Sequence, residues 1–174
     1  MFQDQFSFEE FEFSSQIIRD LVGSKAVVKP FVNRFFTLDG LADQAREKQF
    51  LLPQRKVLVE RLQHQNKELT LSAKTISNIA DIEKENTVTI TTGHQLNLLT
   101  GPLYSIYKVA QVISLCQEMN VKDKGYNYVP VFWMATEDHD FEEINHIHLF
   151  GNKIAWDKEG QLNRIVGEIE PEGI

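Results

Sequence analysis

The stretch from Thr87 to Glu143 alternates strand, glycine-bounded loop, helix and strand, and that order leaves few folds open to the chain. Thr87-Val-Thr-Ile-Thr-Thr92 is rich in β-branched residues and predicts a strand. Gly93-His94-Gln95-Leu-Asn-Leu-Leu-Thr-Gly101-Pro102 follows as a polar loop. A helix is predicted from about Tyr104 to Met119, and a second strand over Tyr128-Val-Pro-Val-Phe-Trp-Met134. A helical crossover between two strands joins them in parallel, as a βαβ unit. Sheets of this α/β class bind ligands at the carboxyl ends of their strands, and here both ends run into polar residues.

The flanks support that unit. Ahead of it, helices are predicted from Gly40 to about Phe50 and from Pro53 to about Leu69, with Ser72 capping a third that places Ile76, Ile79 and Ala80 on one face. Arg46, Glu47, Lys48, Arg55, Lys56, Glu60, Arg61 and Lys67 read as the wet side of these helices. Phe2, Phe6, Phe8, Phe11 and Phe13, joined by Phe31, Phe35 and Phe36, read as residues that dock the N-terminus onto the body of the protein. Behind the unit, Ile144 to Phe150 reads as a strand, Gly151-Asn152 as a turn, Lys153 to Trp156 as its return, Asp157 to Gly160 as a second turn and Arg164 to Ile169 as a further strand. The chain thus divides into a helical region over 1–85, a βαβ region over 86–150 and the start of a β-rich connective segment over 151–174.

Composition narrows the function classes. Hydrophobic residues make up 42% of 174, enough for a core and too many for global disorder. A formal charge of -7 without a basic stripe argues against a nucleic-acid partner. The N-terminus lacks the basic start and apolar run of a signal peptide, no stretch approaches a membrane span, and the single Cys116 suits a reducing compartment. A cytoplasmic protein without a membrane partner is expected. Cys116 falls on the apolar crossover helix, whose Leu103, Ile106, Tyr107, Val109, Ala110, Val112, Ile113 and Leu115 predict burial on more than one side; an inert thiol is the expectation there.

Two constellations carry chemistry. In the first, Gly93 follows the strand where the backbone turns, Thr100-Gly101-Pro102 opens the helix with Pro102 at its first position, and free N–H groups there favour an anion. His94 and Gln95 add side-chain donors, with Tyr104 and Lys108 about a turn into the helix. The loop matches neither a Walker cradle nor a dinucleotide fingerprint, and a purely structural loop is the plain alternative. In the second, Val129, Val131, Phe132, Trp133 and Met134 predict a strand covered on both faces, followed within seven positions by Glu137, Asp138, His139, Asp140, Glu142 and Glu143. Carboxylates beside a histidine suit general acid–base work or capture of a substrate ammonium. The alternative is a helix start with Asp138 or Asp140 as N-cap. His139, His146 and His148 lack metal-ligand spacing, and no tightly bound metal is expected; Mg²⁺ arriving with a nucleotide is the more natural cation.

With these residues in place, the chain resembles the N-terminal third of the cysteine-adding enzymes of bacillithiol biosynthesis. Thr92-Gly93-His94-Gln95, Thr100-Gly101-Pro102-Leu103-Tyr104 and Lys108 are similar to one signature of that family. Pro130 through Glu143, with Asn145-His146, is similar to another. The resemblance implies a Rossmann-like core related to class I nucleotidyltransferases, with a long coiled coil beyond Ile174. It also implies a ligase that joins cysteine to glucosaminyl-malate, with ATP (Mg) activating the cysteine carboxylate. Asp138, His139 and Asp140 would be catalytic. Gly93, His94, Gln95, Gly101, Tyr104, Lys108, Glu137 and Asn145 would bind substrate or nucleotide, with hydrogen bonding rather than proton transfer as the part of His94. A piece of this size is expected to be inactive alone, and a homodimer of the full-length protein is left open. The alternative reading is a non-catalytic nucleotide- or sugar-binding module of the same fold.

Overall fold

A computed structural model describes residues 15–157 and 164–170. The phenylalanines of residues 1–14 and most of the turn expected after Asp157 lie outside these. The amino-terminal part is helical: α1 (Gln16–Val22), a 3-10 turn (Ala26–Phe31), α2 (Leu38–Glu47), α3 (Leu52–Gln65) and α4 (Ala73–Asp81). Several boundaries have a local cause. Thr37 Oγ1 accepts the Gly40 N–H at 3.0 Å and starts α2, and Ser72 Oγ accepts the Thr75 N–H at 3.1 Å and starts α4. Pro53 sits in the first turn of α3, where a missing N–H costs nothing. At the far end Asn66 Nδ2 donates to Leu62 O at 2.7 Å, and α3 stops short of the expected Leu69.

Arg55 corrects the sequence reading. It was expected on the wet face of α3 and is 5% exposed. Its guanidinium fans out over backbone carbonyls: Nε to Phe50 at 3.0 Å, Nη1 to Ile82, Lys84 and Thr87 at 3.0, 3.0 and 2.7 Å, and Nη2 to Glu85 at 3.3 Å. The last turn of α4 and the start of the next strand are thereby tied to α3 by one side chain. Only a planar fork with five N–H donors fits such a set. Phe31 and Phe36 are also corrected, since they are 81% and 75% exposed and join no core.

The central unit is β1 (Thr87–His94), a 3-10 turn (Leu98–Thr100), α5 (Leu103–Lys122) and β2 (Asn127–Met134). β1 and β2 pair in parallel from Thr87 opposite Asn127 to His94 opposite Met134. Ala42 and Ala45 of α2 pack with Val112, Cys116 and Met119 of α5 and with Tyr128 of β2. The small α2 residues allow that close approach. Asn120 of α5 takes both backbone groups of Tyr128, accepting its N–H at 2.8 Å and donating to its carbonyl at 2.9 Å. The Tyr128 hydroxyl donates to Asp123 at 2.9 Å.

Burial is more one-sided than the sequence suggests. Of α5, only Ser105, Val112, Cys116 and Met119 are buried, and Phe132, Trp133 and Met134 are 41%, 60% and 57% exposed. The described sheet has two strands, and α2 and α5 cover it near Tyr128 and Val129, so the carboxyl half of β2 is bare among the described residues. Beyond it come α6 (Phe141–Ile144) and an antiparallel hairpin, β3 (His146–Leu149) with β4 (Asn152–Ala155). Ile144 therefore ends a helix instead of opening a strand. The hairpin turns through Phe150 and Gly151, at φ 49° and 80°, the left-handed pair that suits the strand twist. The strand expected at 164–169 is a 3-10 turn, Val166–Glu168, because its N–H groups go to loop carbonyls.

Replacing Arg55 by methionine keeps the length of the side chain but strands several buried carbonyls. Chemical denaturation should show a loss of about 3 kcal/mol, and lysine at this position should restore only part of it.

Candidate active site at the carboxyl rim

Parallel pairing puts the ends of β1 and β2 at one rim. His94 opposes Met134, and the ladder continues one step with the Ala135 N–H donating to the His94 carbonyl at 3.0 Å. The two loops leave the rim side by side and share a small core: Leu96 from the first packs with Phe141 and Ile144 from the second, closed by Val166, Trp156 and Ile169. The carboxyl-terminal segment is stitched across them. The Val166 N–H donates to Asp138 O at 2.7 Å and the Gly167 N–H to Thr136 O at 2.8 Å.

Gly93 lies within β1, so it is not the turn residue the sequence suggested. A β-carbon there would meet Trp133 O at 3.1 Å and Trp133 Cβ at 3.3 Å. Glycine lets the two strands close at the rim. The loop then turns through Leu99, Thr100 and Gly101, with φ of 46°, 75° and 59°. Left-handed leucine and threonine cost about 1–3 kcal/mol each, and such strain persists only where surroundings hold it. Here Ser105 Oγ donates to Thr100 O at 2.7 Å and to Pro102 O at 3.0 Å. Pro102 serves as the N-cap of α5, and Leu103 takes the first helical position.

Lys108 reaches back to donate to Gly93 O at 2.7 Å, and its ammonium lies 5.1 Å from the centre of the Tyr104 ring. That ring is 5.0 Å from His94. Gly93, His94, Tyr104 and Lys108 are therefore one contiguous group. His94 is 7% exposed, and its Nε2, Gln95 Oε1 and Asn97 Oδ1 are buried without a partner among the described residues. Buried polar atoms of this kind are rare in finished structures and mark where a ligand or water is received.

The second constellation meets the first at Gln95, whose side-chain amide lies beside the Asp138 carboxylate. Asp138 Oδ1 also accepts the N–H groups of His139 at 2.7 Å and Asp140 at 3.1 Å. Gln95 first, then those N–H groups, hold the Asp138 carboxyl below the ordinary carboxylate range. The His139 side chain is exposed beside it. Asp140 is the N-cap of α6, its Oδ1 accepting the Glu143 N–H at 3.1 Å, so the helix-start alternative holds for that residue. Glu137 Oε1 accepts from Trp133 Nε1 at 3.4 Å. Asn145 closes α6, and its Oδ1 lies 3.1 Å from His146 Nδ1. Glu137 and Asn145 make their side-chain contacts elsewhere, with Trp133 and His146.

Among the described residues no three His, Cys, Asp or Glu side chains group to hold a metal ion; His146 and His148 meet edge to face at 5.4 Å. Burial pushes the Cys116 thiol up to about 11, which keeps it protonated and inert at neutral pH. Two concavities lie elsewhere: one of about 480 Å³ between α2, α3 and β1 around Arg55, and one of about 750 Å³ between α4, α5 and β2. Neither is lined by His94, Gln95, Lys108 or Asp138. The apolar lining of the larger one offers few groups that could do chemistry. Asn97 is the rim residue that the sequence reading passed over; its only signal was an amide inside a glycine-bounded loop.

Folding favours the ionised form of Asp138, so this group adds stability above the ordinary carboxylate range, and that contribution disappears as pH falls through its folded-state value. Gln95→Leu removes the largest cause of the shift. A carboxyl ¹³C titration should then show Asp138 titrating at higher pH than in the parent, though still below an exposed aspartate because the two backbone donors remain.

Comparison with known proteins identifies the family. The family model described as "Bacillithiol biosynthesis BshC, N-terminal Rossmann-like domain" matches residues 1–174. A Flavobacterium johnsoniae protein named "Putative cysteine ligase BshC" is 43% identical over 173 residues, covering 98% of this chain and 32% of its own length. Proteins of the same name from Christiangramia forsetii and Bacillus mycoides are 40% and 36% identical, over 97% and 79% of this chain and 32% and 25% of theirs. The chain spans about a third of the length of such relatives. No helix among the described residues is long and apolar enough to cross a membrane. A match over every residue, together with a parallel βαβ unit at the expected place, assigns the chain to the bacillithiol biosynthesis BshC family, as its N-terminal Rossmann-like domain.

Proposed function

We propose that this domain supplies one wall of the active site of an ATP-dependent ligase that joins cysteine to glucosaminyl-malate. The observation that carries the reading is the parallel register, which brings a donor-rich loop and an acid–histidine run to one sheet rim with the Gln95 amide beside the Asp138 carboxylate. Amide formation needs two unlike environments next to each other. One must receive the oxygens of an activated carboxylate and of phosphate; the other must hold an amine and remove its proton.

The first environment is built by Gly93, His94, Gln95, Gly101, Tyr104 and Lys108. The Lys108 ammonium has three N–H bonds, of which Gly93 O takes one. ATP enters as its Mg²⁺ complex, a substrate in this scheme. It supplies the leaving group on the cysteine carboxyl, while the loop orients the oxygens. Kinship with class I nucleotidyltransferases belongs to the same proposal and is consistent with the parallel βαβ unit.

In the second environment the residues divide the work according to their electrostatics. A carboxylate held below its usual range is a weak base, so Asp138 serves to hold the substrate ammonium. His139 beside it takes the proton as the amine nitrogen attacks the activated carbonyl, and Asp140 fixes the turn that presents both. Glu137 and Asn145 border the amine side. The substrates remain small molecules in this scheme.

Liquid chromatography of the full-length protein with cysteine, glucosaminyl-malate and ATP tests the proposal. His139→Ala should lower the turnover rate by roughly 10²- to 10⁴-fold, the usual contribution of a positioned base, and Asp138→Asn should raise KM for the amine. Unchanged product formation in both variants would remove the acid–histidine run from the mechanism.

A further inference from the structure

The Asn97 side chain touches two groups whose chemistry determines its orientation and, with it, the state of His94. Asn97 Nδ2 lies 2.7 Å from His94 Nδ1 and 3.3 Å from Gln95 O. A backbone carbonyl oxygen only accepts, so the Asn97 atom facing it is the amide NH₂. That NH₂ has two hydrogens, one for the carbonyl and one for the ring. His94 Nδ1 is then an acceptor and carries no proton, which leaves the proton of the neutral ring on Nε2. An imidazolium would set two donors against each other at 2.7 Å.

The amide is held in this pose by steric fit. Gly101 has φ 59°, and a β-carbon on it would sit 2.3 Å from Asn97 Cβ and 2.6 Å from Asn97 Cγ. The left-handed turn at 99–101 thus brings a bare backbone against Asn97, and a side chain on residue 101 would displace it. The Nε2 so protonated belongs to a side chain that is 93% buried, and it has no partner among the described residues. A buried N–H donor in that state calls for an acceptor oxygen.

We propose that Asn97 is a positioning residue that locks His94 as a neutral Nε2–H donor, aimed at an oxygen of the ligand's carboxylate or phosphate. The assignment of ligand oxygen rests on the ligase reading above; the locked tautomer does not. His94 in this state cannot accept a proton at Nδ1 without losing the Asn97 contact, so its part is to orient and stabilise negative oxygen.

Selective ¹⁵N-histidine labelling of the full-length protein reads both parts, with the His94 signals assigned by their loss in His94→Gln. At neutral pH the parent should show a pyridine-type Nδ1 and a pyrrole-type Nε2. A pyrrole-type Nδ1, or two pyrrole-type nitrogens, would overturn the lock. In Asn97→Asp the carboxylate can only accept, and Nδ1 should become pyrrole-type; an unchanged pattern there would show that Asn97 does not set the tautomer. The parent measurement stands even if that variant fails to fold. Adding cysteine alone or ATP alone then separates the sources: a shift of the Nε2 proton with the first identifies the carboxylate, and with the second the phosphate. A ring that keeps its tautomer but responds to neither ligand would overturn the donor role. Loss of the ligase reading would leave the ¹⁵N pattern intact, and a wrong tautomer would leave product formation in the His139 test unaffected, so the two ideas fail separately.

Discussion

The parallel register of β1 and β2 is the constraint on which the rest of the structure depends. Because side chains alternate along a strand, a slip of one residue would send every side chain to the opposite face. It would also move His94 away from Met134 and part the two loops that leave the strands there. The register is fixed at both ends. At the start, Asn127 donates its N–H to Asn86 O at 2.9 Å, and Asn120 holds Tyr128 from the side of β2 away from β1. At the rim, Gly93 lets Trp133 approach to a distance at which a β-carbon would be crowded.

Around that pairing the molecule places its polar groups with economy. Arg55 is a buried charge whose hydrogen bonds go to backbone carbonyls, so its worth lies in joining three segments that share no ladder. Asp123 plays a smaller version of the same part between α5 and β2. The Gly125 N–H, then the Tyr128 hydroxyl and Arg46, hold its carboxyl below the usual range. The rim differs in kind from both sites. It keeps left-handed leucine and threonine, buried polar atoms of His94, Gln95 and Asn97 without partners among the described residues, and an exposed histidine beside a carboxylate. Strained backbone and unmatched buried polar groups coincide at the rim, as expected where a site has been built for a ligand.

Much of the scaffold could be read from the sequence because its signals are local. Ser72 as a cap, Pro53 at a helix start, the β-branched run from Thr87 and the crossover length each act over a few residues. The parallel rim followed from chain order alone. What could not be read is set by tertiary packing. Arg55 looks like any other helix charge until the carbonyls of residues 82–87 are brought over it. The apolar run of β2 suggested two covered faces, but α2 and α5 reach only its first half. In the site, the acid run announced itself by density and the loop by its glycines. Neither disclosed that Gln95 would bridge them, or that Asn97 would close on His94, since both contacts depend on loop paths bent by three successive left-handed residues.

The direct measure of the account is a double-mutant cycle between Gln95 and Asp138, read by chemical denaturation of Gln95→Leu, Asp138→Asn and the double variant. If the two loops form one rim, the substitutions interact and the double variant loses less stability than the sum of the single losses. Additive losses would mean that Gln95 and Asp138 do not touch, and the shared site would be contradicted.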